Sequence, residues 1–168
     1  MQLIRRFLAL WAPEKSQLSP SQVQPVPDDV DAPALERLLA RWTREGAEPL
    51  PPEDPARVQQ VFRALGVEAT PDVIQMYGVI GGMDAWDNAL WMLWPLDRVA
   101  EQPPSSEGVL FSDYCLDCWQ YRLRPLSAAQ SAVYVDCGDG KPPVLVVPTL
   151  ADFWRRYLVD AEALMKIC

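Results

Sequence analysis

The sequence predicts an α+β domain: a mostly antiparallel sheet flanked by N-terminal helices and a C-terminal helix. Three observations predict it. Apolar residues recur at helical spacing through the first half, short alternating runs separated by turn residues follow, and a capped amphipathic stretch comes last. At 168 residues the chain can bury a sizeable core without staples. Residues 1–32 read as an amphipathic helix with a Pro-rich linker, and residues 33–168 as a single domain.

Leu3, Ile4, Phe7, Leu8 and Trp11 share one face of a short helix, which reads first as docking on its own domain. Contact with a partner or a membrane surface is the alternative, and two arginines are a weak membrane signal. Glu14 to Ala32 is rich in Pro, Ser and Gln and lacks periodicity, as a linker or surface loop does. Asp31 and Pro33 start a helix with the stripe Leu35, Leu38, Leu39 and Trp42, ended by Gly46. After Pro49 to Pro55, Asp54 caps a second helix that buries Val58, Val61, Phe62 and Leu65 and closes on Gly66. Thr70-Pro71-Asp72 opens a third. Thr70 is expected to cap its free N–H groups, Val73, Ile74, Tyr77 and Ile80 form its face, and Gly81-Gly82 is expected to stop it in a left-handed cap.

The continuous apolar run ALWMLWPL, from Ala89 to Leu96, reads as a buried strand, and Asp97 to Gln102 as one helical turn. Further strands are expected at Val109 to Phe111, Cys118 to Leu123, Ala132 to Asp136 and Pro143 to Val147. Cys137-Gly138-Asp139-Gly140 is a turn rather than a calcium loop, since regularly spaced oxygen ligands and a closing glutamate are missing. Thr149 caps the last helix, whose stripe is Leu150, Phe153, Trp154, Tyr157 and Leu158.

Composition excludes several chemistries. Histidine is absent, which removes Ser-His-Asp and Cys-His arrangements and the commonest zinc ligand. Gly78 with Gly81-Gly82 has no lysine nearby and matches no phosphate-loop pattern, so we expect no cofactor. The net charge of −8 argues against nucleic acid as a partner. No span is long and apolar enough for a membrane, and the apolar part of Met1 to Pro13 is too short for a signal peptide. A cytoplasmic protein, monomeric or weakly homodimeric, is expected.

Four cysteines do not suggest a disulfide framework. Cys115-Leu116-Asp117-Cys118 reads first as ordinary reduced thiols, since it sits between strand candidates rather than at a helix start. Half a zinc site and a redox pair are the alternatives. No metal ligand set is assigned.

Charge is distributed unevenly. From Gly66 to Tyr121 nine acids (Glu68, Asp72, Asp84, Asp87, Asp97, Glu101, Glu107, Asp113 and Asp117) face one base, Arg98. The rest of the chain carries 14 of each sign, so the whole net charge belongs to this stretch. Acids interleaved with tryptophans suit a surface that steers and anchors a basic protein. The candidate partner-binding residues are Asp84, Trp86, Asp87, Asp113, Asp117 and Trp119. For the tryptophans of the apolar run, burial in the core is the stronger reading.

The stretches LGVEATPDVIQMYGVIGG and ALWMLWPLDRV resemble the SUKH superfamily, which includes bacterial immunity proteins and yeast cell-wall regulators. GVLFSDYCLDCWQYRL is similar to that family's phenylalanine-aspartate strand, and PPVLVVPTLADFWRRYLVD to its last strand and capped helix. The likeness covers residues 55 to 162, with Ala69 standing where the family more often leads an apolar residue into proline. These are fold motifs rather than catalytic ones. The resemblance implies a non-catalytic protein that neutralises a bacterial toxin by stoichiometric binding, and the acidic charge adds that the toxin domain would be basic. A regulatory or scaffold module with an endogenous partner is the alternative. An enzyme with a carboxylate or thiol site, using Asp113 and Asp117, has the least support.

Overall fold

The computed structural model describes residues 33–165, 167 and 168. The expected helix over Leu3 to Trp11, the linker that follows it and the Asp31 start signal lie outside the described residues.

Three helices come first: α1 (Ala34–Glu45), α2 (Pro55–Ala64) and α3 (Pro71–Val79). Helix α1 buries Leu38 and Trp42 and ends on Gly46, whose φ of 78° is a left-handed cap. Asp54 caps α2 as expected, accepting from Ala56 N–H at 2.7 Å and from Arg57 N–H at 3.4 Å. Helix α3 departs from expectation at both ends. The Thr70 hydroxyl accepts no helix N–H; it donates to Asp72 Oδ1 instead and meets Ser131 Oγ at 2.7 Å. Asp72 does the tying, because its carboxylate accepts from both Val73 N–H and Ser131 N–H. At the other end Ile80 turns extended, and the glycine pair does not form a left-handed cap. A Cβ on Gly81 would collide with the Pro51 carbonyl, and one on Gly82 would lie 2.6 Å from Pro95 Cα. Close backbone approach, not helix termination, is what needs those glycines.

The sheet is an antiparallel meander in chain order: β1 (Trp91–Leu93), β2 (Val109–Tyr114), β3 (Trp119–Pro125), β4 (Ser131–Asp136) and β5 (Val144–Val147). The architecture is therefore α+β with an antiparallel sheet. Only three residues of the long apolar run are strand, because Pro95 redirects the chain into α4 (Leu96–Ala100). The outer side of β1 bonds to the preceding loop, with Met83 N–H donating to Leu93 O and Asp87 N–H to Trp91 O. That loop in turn bonds to the segment before α2, through Gly81 N–H to Leu50 O and Leu50 N–H to Gly82 O.

Thr149 caps α5 (Leu150–Val159) as expected, accepting Asp152 N–H at 3.1 Å. Phe153 of α5 anchors the core, 5.6 Å from Trp91, 5.7 Å from Phe111 and 5.4 Å from Tyr121 between ring centroids. A short helix α6 (Glu162–Met165) leads to a disulfide between Cys137, just after β4, and Cys168. Cys115 and Cys118 are free, as read, but the expectation of no disulfide is corrected: Cys137 and Cys168, 31 positions apart, are brought to a Cα separation of 5.7 Å, within bridging range.

Candidate protein-contact surface

The loop between α3 and β1 and the tip of the β2–β3 hairpin lie side by side. Cys115 N–H donates to Leu90 O at 2.9 Å, joining the two backbones. Trp86 Nε1 and Asp117 N–H donate to the same oxygen, Asp113 Oδ1, at 3.1 and 3.3 Å. The sequence places these segments about thirty positions apart, and the β1–β2 pairing makes them neighbours.

Two buried aspartates hold this end of the sheet. Asp113 is wholly buried, and its second oxygen accepts Trp94 Nε1 at 2.5 Å. Arg98 covers it, with the guanidinium 3.9 Å over the Trp94 ring, Nη1 3.4 Å from Asp113 and Nη2 2.6 Å from Asp117. Asp87 is 5% exposed and accepts Trp42 Nε1, Ala89 N–H and Trp91 N–H at 2.8–2.9 Å. Burial pushes its carboxyl above the usual range and Glu45 adds to this, partly offset by those three donors. Burial removes both carboxylates from a contact surface, which corrects their reading as partner-binding groups. Their side chains support the loops instead.

Trp119 also separates from the group. Asp113 pairs with Met92 and Gln120, while the next row holds Trp91, Tyr114 and Trp119. Successive residues of a strand face opposite ways, so Trp119 and Asp113 lie on opposite faces of the sheet. Trp119 stacks on Tyr114 at 5.1 Å, on the side that packs against α5.

Asp84 and Asp117 remain exposed, and with them three apolar side chains: Trp86 (37%), Leu90 (49%) and Leu116 (68%). Composition did not single out Leu90 and Leu116. Their backbones are unusual: Leu90, Cys115, Leu116 and Asp117 are the positive-φ non-glycine residues among those described, with φ of 54–65°. Such conformations persist only where neighbours over-determine them, and they concentrate at binding and catalytic sites.

Five of the nine acids are paired with arginine. Glu68 pairs with Arg63, Asp97 with Arg57, Glu107 with Arg124, and Asp113 and Asp117 with Arg98. Three of those arginines come from outside the acidic stretch, so folding partly neutralises a sequence-local excess. Asp84 and Glu101 form no ion pair among the described residues.

Cys115 and Cys118 supply two soft ligands, and no group of three or more His, Cys, Asp or Glu able to hold a metal occurs among the described residues. No helix among them is long and apolar enough to cross a membrane. A separate cleft of about 240 Å³ between α1, α3 and α5, lined by Leu35, Met76, Leu150 and Trp154, contains none of the predicted site residues. No protein-family model matches this chain, and no curated protein matches it.

Proposed function

We propose that this chain binds another protein without catalysing a reaction, as an immunity protein of the SUKH type that neutralises a bacterial toxin stoichiometrically. One observation carries the reading: Trp86, Leu90 and Leu116 are exposed on two loops that buried Asp87 and Asp113 hold in fixed, strained conformations. Exposed apolar anchors on a pre-ordered support are what a tight interface needs, because little ordering entropy remains to be lost. Asp84 and Asp117 border these anchors, and the net charge of −8 attracts a basic toxin domain at long range. Both oxygens of Asp113 are engaged by indole N–H groups, which supports a structural carboxylate over a general base.

A pull-down from the native host at low and high salt, with bound proteins identified by mass spectrometry, tests the proposal. The expected result is one stoichiometric partner with a basic, toxin-like domain, retained less at high salt and lost with Leu116→Asp. A housekeeping partner would replace the immunity reading with the regulatory one. A partner insensitive to both salt and Leu116→Asp would remove this surface from the interface.

The expected cytoplasmic location is kept as part of the proposal, and the Cys137–Cys168 disulfide weighs against it. Such bonds persist in oxidising compartments, whereas a reducing cytoplasm would keep both residues as thiols. Acid quenching of host cells, then alkylation of the denatured, neutralised protein, distinguishes these: Cys137 and Cys168 open to alkylation supports the cytoplasm, and protection overturns it.

A further inference from the structure

We propose that Cys115 and Cys118 form a thiol–disulfide exchange site, in which Cys118 attacks a disulfide substrate and Cys115 resolves the mixed disulfide. The two are free cysteines at the ends of the β2–β3 turn, and Cys118 N–H donates to Cys115 O at 3.3 Å. A turn closed in this way holds its end Cα atoms within about 7 Å, overlapping the span that a disulfide bridges. Cys118 is exposed and Cys115 half-buried, which divides the work: the outer sulfur meets the substrate and the inner one waits behind it.

The backbone keeps them together. Cys115, Leu116 and Asp117 have φ of 54°, 58° and 65°, three left-handed residues in succession without a glycine. Isolated residues with side chains visit this region uncommonly, and a run of three needs outside support. Leu90 O holds one end of the turn through Cys115 N–H, and Asp113 Oδ1 holds the other through Asp117 N–H. These clamps hold the two Cα atoms of the turn close to one another. The Cys137–Cys168 bridge lies at the same end of the sheet, with Gly138 facing the Cys118 carbonyl, so all four cysteines gather there.

The step balances with a disulfide, R–S–S–R, as the oxidant. The Cys118 thiolate attacks one sulfur, the S–S bond breaks and RS⁻ leaves. The Cys115 thiolate then attacks Cys118 Sγ, forms the Cys115–Cys118 bond and expels the second RS⁻. The two thiol protons pass to the two RS⁻ groups, so the dithiol loses two electrons and the substrate gains two. Desolvation, then Cys115, Asp117 and Asp113, hold the Cys118 thiol above its ordinary value, which slows the first attack without changing its products.

The test uses the full chain and oxidised glutathione at pH 8, with samples quenched in acid, alkylated and mapped by peptide mass. In the wild type both thiols become protected as a linked Cys115–Cys118 peptide, after a transient glutathione adduct on Cys118. In Cys115→Ser that adduct persists at least about tenfold longer, and Cys118→Ser acquires none at position 118. The wild-type time course decides alone where a variant fails to fold. A lasting adduct on wild-type Cys118, two thiols that stay open to alkylation, or a bridge shifted to Cys137 or Cys168 would each overturn the proposal.

Discussion

Arg98 closes over Asp113, with Nη1 3.4 Å from a carboxylate that has no exposure of its own. The two belong to different layers, Arg98 to α4 and Asp113 to β2, and their contact fixes the loop that carries Trp86.

Asp113→Asn keeps the shape of the side chain but replaces one acceptor with a donor facing an indole N–H and the guanidinium. We expect it to cost about 2 kcal/mol, the scale of one buried donor left unpaired. Urea unfolding of the wild type, Asp113→Asn, Arg98→Ala and the double variant should give a coupling of about 1 kcal/mol. Additive single effects would show that the ion pair contributes nothing of its own.

The raised carboxyl of Asp87 has a signed consequence. The folded state binds this proton more tightly than the unfolded chain, so the associated stability is present below the ordinary carboxylate pKa. It is lost as pH rises through the raised folded value. Asp87→Asn does not titrate. The melting temperature of the wild type minus that of the variant should therefore fall with rising pH across the acidic range, and a constant difference would contradict the shift.

Gly81→Ala and Gly82→Ala should each destabilise by about 3 kcal/mol or more, because backbone atoms stand where the methyl would go. Gly78→Ala has open space in the exposed last turn of α3 and should stabilise by up to about 0.5 kcal/mol. Denaturant midpoints of the three variants make the comparison.

Cys168→Ser removes a bridge between residues 31 positions apart. Loop closure on that scale is worth about 3.7 kcal/mol, so the variant should match the wild type measured in reductant. A wild type unaffected by reductant would mean that the bridge does not stabilise the fold.

Local signals were legible in the sequence where one residue type has one local job. Asp54 and Thr149 cap the helices they precede, Gly46 ends α1, and the alternation in β3 and β4 places Tyr121, Leu123, Val133 and Val135 inside. The failures involve residues whose partners are distant. Thr70 looked like a cap, but Ser131 and Asp72 claim its hydroxyl. Gly81-Gly82 looked like a helix stop because Pro51 and Pro95, which crowd it, are remote in sequence. Of the six proposed contact residues, Asp84, Trp86 and Asp117 reach the surface together. Asp87 and Asp113 were misplaced because sequence does not show that indole and backbone N–H groups can receive a buried carboxylate. Trp119 shares the face of Tyr121 and Leu123, as the alternation has it, and that face is the one opposite Asp113.

The covered outer side of β1 bears on how copies of this chain can associate. Met83 and Asp87 already use the β1 carbonyls, and the segment beyond them contains Pro49, Pro51 and Pro52, which lack N–H donors. The remaining place to add a strand among the described residues is β5, four residues long and bracketed by Pro143 and Pro148, with Val144 and Leu145 exposed. Two copies joined there would each consume the one open edge among the described residues. Among the described residues, strand addition therefore stops at a pair, with no second edge from which a fibre would grow.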